Sequence, residues 1–177
     1  SVWNMNATPA TIAVATDALK LGLSSIAEIV ERSDDIDVRV AMSKASLLAG
    51  VAISHTRTAL AHSASYPLTI HLGVDHGFAC SVLLPAILKF NSAGDDGRLA
   101  KLTNDLGHRD LEEMAHHVDS LLSALDLGQF LSEFDLSSGR LSSLSGEMVN
   151  PQRADNNMRE VGSGDIYQIL LDTSATL

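Results

Sequence analysis

The chain has 177 residues, of which 45% are apolar, and a formal net charge of −10 from 22 Asp and Glu against 12 Lys and Arg. That length suits one domain with a substantial core. So acidic a surface repels nucleic acid and anionic membrane alike, so neither is an expected partner. A single cysteine, Cys80, excludes an internal disulfide framework and fits a reducing, cytoplasmic compartment. The longest near-apolar run, Phe78 to Leu88, contains Ser81 and Pro85 and falls short of the roughly 18 residues that span a bilayer. No basic stretch followed by an apolar one marks a signal peptide. The chain begins at Ser1 and not at methionine, which reads as a piece of something longer.

Aromatics make up only 4% of the chain, and no apolar-polar alternation bounded by hairpin turns is present, so the expected class is all-α. Thr8-Pro9 opens a helix, with the hydroxyl as cap and proline in the first turn. Ile12, Ala15, Leu19, Leu23, Ile26 and Val30 then recur at helical spacing to about Glu31, and Ser33-Asp34-Asp35 breaks the pattern. The spacing predicts a second helix from Asp37 to about Ser63, apolar nearly all round and therefore central in a bundle, ended by Tyr66-Pro67.

A short loop with His71, Gly73 and Asp75 follows, and a third helix opens at His76-Gly77. Pro85 should kink or break it. Asn91 to Gly97 reads as a polar turn, followed by helices around Arg98 to Leu106 and Asp110 to Leu125. From Gly128 onward shorter helices are expected, joined by turns such as Ser137-Ser138-Gly139 and Gly162-Ser163-Gly164. The last of these reads as a turn, with Asp165 capping the final helix. One helical domain is expected over residues 1–177.

Dinucleotide, P-loop, nucleophile-elbow and H-E-x-x-H motifs are all missing. Seven histidines are present, four of them between positions 55 and 76. On a continuous second helix His55, His62 and Tyr66 share one face. His76 follows His62 by fourteen residues, a spacing that lets the next helix fold back so that the two rings converge. Two neutral imidazoles on rigid elements suit Zn²⁺ or Fe²⁺. The other reading of the same spacing is capping and core-packed histidines. Glu112 and Glu113 stand four residues before His116 and His117, as exposed helix pairs do. Cys80, among apolar neighbours, reads as a packed small residue and not a nucleophile.

The stretch from Ala49 through Ser54-His55-Thr56-Arg57-Thr58 and Ala61-His62-Ser63 to Tyr66-Pro67-Leu68-Thr69 continues into Gly73-Val74-Asp75-His76-Gly77 and on to Leu84-Pro85 and Lys89-Phe90-Asn91. In this it resembles the iron-containing (group III) alcohol dehydrogenases. Looser similarity covers Trp3 to Leu19 and Arg153 to Glu160. The resemblance implies the helical C-terminal domain of a two-domain enzyme, without its nucleotide-binding domain. It further implies a small alcohol or aldehyde substrate, Fe²⁺ or Zn²⁺ as cofactor, and NAD(P)H bound mainly by the other domain. A homo-oligomer is compatible with it. His62 and His76 match two of the family's four metal ligands; the other two belong to an Asp-x-x-x-His motif expected upstream of Ser1. Tyr66 stands where many members carry a histidine near the nicotinamide, which makes it the candidate catalytic residue. His71 and Asp75 differ from the commoner family residues.

Within the family the Thr56-Arg57-Thr58 region looks most like phosphonoacetaldehyde reductase-type enzymes, so the substrate would carry a phosphonate. Arg57 could then supply a guanidinium fork for it. Alternatively Arg57 is a helix-surface arginine paired with an acid, since an ideal helix sets it about 140° from His62. Arg153 and Arg159 are weaker candidates for the anion. Two further readings stand beside the dehydrogenase: a dehydroquinate synthase-like cyclase domain, and a non-catalytic helical module in which the histidines cap and pack.

Overall fold

The computed structural model describes residues 1–126 and 137–175. Its helices are α1 (Pro9–Glu31), α2 (Ile36–Thr56), α3 (Leu60–Leu72), α4 (His76–Ser81), α5 (Leu84–Ser92), α6 (Arg98–Asp105), α7 (Leu111–Ala124), α8 (Ser138–Met148), α9 (Pro151–Ala154) and α10 (Ser163–Ala175). No strand occurs among the described residues, and one isolated antiparallel bridge joins Asn4 to Asn157. The all-α class is therefore as expected. The first part of the segment from Gly128, where shorter helices are expected, lies outside the described residues.

Most boundaries follow from local chemistry. The Thr8 hydroxyl accepts from the Thr11 amide at 3.3 Å, the Thr8 amide donates to the Thr11 hydroxyl at 2.8 Å, and Pro9 fills the first helical position. Asp35 caps α2 by accepting from the amides of Asp37 and Val38. Asp110 caps α7 through the Glu113 amide. The last helix starts at Ser163, inside the predicted Gly162-Ser163-Gly164 turn, and Asp165 in its first turn accepts from the Gly162 amide. The predicted break at Pro85 is found: α4 stops at Ser81, and Pro85 lies in the first turn of α5.

The predicted long second helix is two helices. Its backbone leaves the helical path at Arg57, where φ is 66° and ψ −178°. Asn4 donates its amide to the Arg57 carbonyl at 3.2 Å, Asn6 to that of Thr56 at 3.3 Å, and Asn156 to that of Thr58 at 3.0 Å. Three side chains from remote segments thus replace the helical N–H donors that these carbonyls would otherwise require. Pro67 does not end a helix either; it sits buried inside α3, and His71, expected in a loop, lies in the last turn of that helix. A proline inside a helix costs about 3 kcal/mol. Burying Leu60 and Leu68 on the same helix recovers about 1.5–3 kcal/mol each.

With the break at Arg57, α2 is one limb of a hairpin with α1, and it is not central. Ala45 and Ala52 are buried, whereas Leu47 is 67% exposed and Val40 and Val51 also face solvent. The centre belongs to α3, whose Leu60, Ala61, Ala64 and Leu68 join residues of α4, α5, α8 and α10 in the larger core. A second core unites Val2, Ala15, Ala52, Leu88, Leu99, Leu102 and Met114. Trp3 packs against both. The run Phe78 to Leu88 is also not the chain's longest apolar element. By length and composition alone α1, with 23 residues, is long and apolar enough to cross a membrane; here it packs along α2.

Candidate metal centre

Gly73 ends α3 in the left-handed conformation, with φ 76°, and its amide reaches the Leu68 and Thr69 carbonyls. Val74, buried, anchors the turn, and α4 starts at His76, folded back against α3. His62, in the first turn of α3, therefore meets His76, the first residue of α4. Their ring centroids are 5.4 Å apart at an interplanar angle of 59°. The convergence expected from the fourteen-residue spacing is present, although it arises from a short turn between two short helices.

Cys80 completes the cluster. It follows His76 by four residues and so shares its helix face. Donor atoms of His62, His76 and Cys80 all lie within 4.8 Å of one another. The Cys80 sulfur is 3.7 Å from His76 Nε2 and 3.9 Å from Nδ1. Buried Ser65 lies behind them: its hydroxyl donates to the His62 carbonyl at 3.0 Å, accepts from the Cys80 thiol at 3.2 Å and lies 3.4 Å from His76 Nδ1. Burial, chiefly, holds the His62 imidazole below its ordinary value, with His76, the Ser1 ammonium and Arg153 acting in the same direction. His62 thus favours the neutral form that ligates. Burial pushes the Cys80 thiol up, and the Ser65 contact offsets this only in part. A thiol of this kind is no ready nucleophile.

A cleft of about 460 Å³ reaches His62 and Cys80 of this cluster, with His76 beyond its lining. Ala15, Leu19 and Gly22 of α1, Met42, Ala49 and Ile53 of α2, and Leu84 give it apolar walls; Arg57, His62 and Cys80 also line it. Among the described lining residues Arg57 is the one side chain with a permanent positive charge. Because α2 ends at Thr56, the helical angle between Arg57 and His62 no longer applies, and no carboxylate forms a salt bridge with Arg57 among the described residues. Its backbone occupies a region that is essentially glycine-only and costs about 1–3 kcal/mol. Tyr66 is 37% exposed, with its ring 5.4 Å from His76 and the Arg153 guanidinium 4.6 Å above its face.

The other candidates lie apart from the centre. His55, predicted to share a face with His62, is on a different helix and its Nδ1 lies 2.9 Å from the Val51 carbonyl. His71 Nε2 meets Glu147 at 2.8 Å, linking α3 to α8. Glu113 turns to Arg109, and His117 Nδ1 lies 3.2 Å from His108 Nε2, which replaces the expected Glu113–His117 pair. Arg159 stacks on Phe90 at 3.8 Å. Two participants were missed in the sequence: Cys80, signalled only by the His76-x-x-x-Cys80 spacing, and Ser65, for which no sequence signal exists.

The donor chemistry fits a divalent ion: two imidazoles and a thiol are borderline to soft ligands of the sort that hold Zn²⁺, Co²⁺ or Fe²⁺. The profile of the Fe-containing alcohol dehydrogenase family, C-terminal, matches residues 1–174. Phosphonoacetaldehyde reductase of Streptomyces viridochromogenes is 29% identical over 97% of this chain and 46% of its own length. Sulfoacetaldehyde reductase of Bilophila wadsworthia is 26% identical over 98% of this chain and 48% of its own. Among solved structures, alcohol dehydrogenase from Oenococcus oeni superposes with a TM-score of 0.88 at 22% identity, covering 97% of this chain and 47% of that one. The chain spans about half the length of the curated relatives it matches.

Proposed function

The chain belongs to the Fe-containing alcohol dehydrogenase family, and from that premise we propose that it is the metal-holding part of an NAD(P)-linked alcohol dehydrogenase or aldehyde reductase. The observation that carries this reading is the convergence of His62 and His76 beside an apolar cleft. The reading in which the histidines only hold the fold suits His55, on the Val51 carbonyl, and His71, on Glu147, better than this pair. A divalent ion held there, Fe²⁺ or Zn²⁺, supplies Lewis-acid polarisation of an alcohol or carbonyl oxygen during hydride transfer.

The chain's own residues do the rest. The cleft walls exclude water and orient a short carbon chain. Arg57 reads the far end of the substrate: a guanidinium beside apolar walls favours an anionic group, and its fork suits a phosphonate. Two named relatives, reductases of phosphonoacetaldehyde and sulfoacetaldehyde, support an aldehyde bearing such a group. The Tyr66 hydroxyl, on the ring beside His76, is the proton donor we assign to the substrate oxygen. The dinucleotide is bound mainly by residues outside this chain.

The test is aldehyde-dependent oxidation of NADH or NADPH by a protein in which this chain follows a nucleotide-binding domain. Turnover supported by Fe²⁺ or Zn²⁺ and abolished by His62→Ala and by His76→Ala is expected. Full activity in both variants would overturn the reading.

A further inference from the structure

We propose that His108 and His117, at the corner between α6 and α7, form a second metal site that takes a late first-row divalent ion such as Zn²⁺. It stands apart from the His62–His76 centre and does not depend on how that centre is read.

The corner is fixed by the chain itself. Gly107 follows α6 in the left-handed conformation, with φ 83°, and the His108 amide reaches back to the Thr103 carbonyl at 3.0 Å. Two residues on, Asp110 caps α7 by accepting from the Glu113 amide at 2.8 Å. Buried Leu102 and Met114 hold the two helices to the same core. His117, in the second turn of α7, is thereby brought to His108, nine residues before it. Both side chains are half-buried.

His108 Nε2 and His117 Nδ1 lie 3.2 Å apart, with ring centroids at 5.0 Å and an interplanar angle of 60°. The two nitrogens share a hydrogen bond, so one carries a proton and the other presents its lone pair. For an ion about 2.0–2.1 Å from each nitrogen, that separation subtends about 100° at the ion, close to the tetrahedral angle. Each lone pair then turns by about 40° from the line between the nitrogens, a swing of the last side-chain torsion, which is broad in histidine. On binding, the proton between the rings moves through solvent to the far nitrogen of its own imidazole. Both rings stay neutral, two nitrogen–metal bonds form, and no oxidation state changes.

The surrounding charge favours a cation. Glu113 stands one turn before His117 on the same face of α7. The Arg109 amide, chiefly, holds the Glu113 carboxyl below the usual carboxylate range, and His108 acts in the same direction, so carboxylate and ring are within electrostatic reach. Paired imidazoles suit Zn²⁺, Ni²⁺ or Cu²⁺, whereas Mg²⁺ and Ca²⁺ require oxygen ligands. Bound there, the ion ties α6 to α7 and stabilises the folded chain.

The test is titration of the full chain carrying His62→Ala and His76→Ala with Zn²⁺ against a zinc indicator near neutral pH, the fold being followed by circular dichroism. Uptake of one equivalent is expected, unaffected by excess Mg²⁺. Loss of an outer partner alone costs about 10–100-fold in affinity, so removing a donor by His108→Ala or by His117→Ala should weaken binding at least about tenfold. No uptake, or uptake undiminished by either substitution, would overturn the site. Ring-nitrogen NMR of the unmodified chain reads the same site without any substitution. There Zn²⁺ should shift His108 Nε2 and His117 Nδ1, and rings that keep their metal-free shifts at two equivalents would equally overturn it.

Discussion

Asn4 and Arg57, 53 residues apart in sequence, are joined by a hydrogen bond from the Asn4 side-chain amide to the Arg57 carbonyl at 3.2 Å. Asn4 is fully buried, and its own Oδ1 accepts from the Asn6 amide at 2.8 Å. The bond holds the cleft-lining residue Arg57 where α2 ends. Asn4→Ala leaves the Arg57 carbonyl with only the Thr56 hydroxyl and removes the acceptor of Asn6. The expected loss is about 1–3 kcal/mol, read from urea unfolding. A loss near zero would mean that the other two asparagines alone hold the break.

Strain at Arg57 predicts a stability order opposite to the usual one. Glycine inside an ordered segment normally costs about 0.5–1 kcal/mol relative to alanine. At φ 66° and ψ −178° only glycine is unstrained. Arg57→Gly should therefore be more stable than Arg57→Ala, by about 1 kcal/mol or more. Both variants, in a protein carrying a nucleotide-binding domain, should lose about 2 kcal/mol in kcat/KM for a phosphonate-bearing aldehyde and little for an uncharged one. Equal losses for both aldehydes would make Arg57 structural.

These residues also show where sequence reading succeeds and where it stops. His62 and His76 were legible because a short turn preserves their spacing whatever the exact helix ends. The break at Arg57 was not legible, because its cause is long-range: amides from Asn4, Asn6 and Asn156 take the carbonyls that a continuing helix would bond. Pro67 suggests an end only on a helix running on from Asp37, 23 residues before α3 in fact starts at Leu60. Once α3 starts at Leu60, burial of its apolar face outweighs one missing N–H. Cys80 looked like packing because its neighbours Ala79 and Val82 are packed; only the return of α4 across α3 brings it to His62.

The depressed His62 value has a pH signature. Its ordinary value is 6.5, and burial is the main cause of the lowering. Above 6.5 the imidazole is neutral in both folded and unfolded chains, so the full stability is present. As pH falls through the window from 6.5 to the lowered folded value, the unfolded chain takes up a proton that the fold resists, and stability declines. Urea midpoints measured across this window should fall toward acid. In His62→Gln the decline should be shallower, because that contribution is gone. An unchanged slope would assign the acid sensitivity to other groups.

Ser65 is the residue whose removal separates orientation from ligation. Its hydroxyl touches both His76 and Cys80 yet is no ligand itself. Ser65→Ala removes the hydroxyl that lies 3.4 Å from His76 Nδ1 and leaves the His62 carbonyl without that donor. Both imidazoles remain, so a metal should still bind, but more weakly. Loss of an outer partner of this kind costs about 10–100-fold in affinity. Competition of the chain against a zinc indicator measures it directly, and circular dichroism controls for the fold, since Ser65 is fully buried. Restoring the hydroxyl through Ser65→Thr should recover part of the affinity if the oxygen is what matters. Affinity unchanged in Ser65→Ala would show that the helices α3 and α4 alone orient His76.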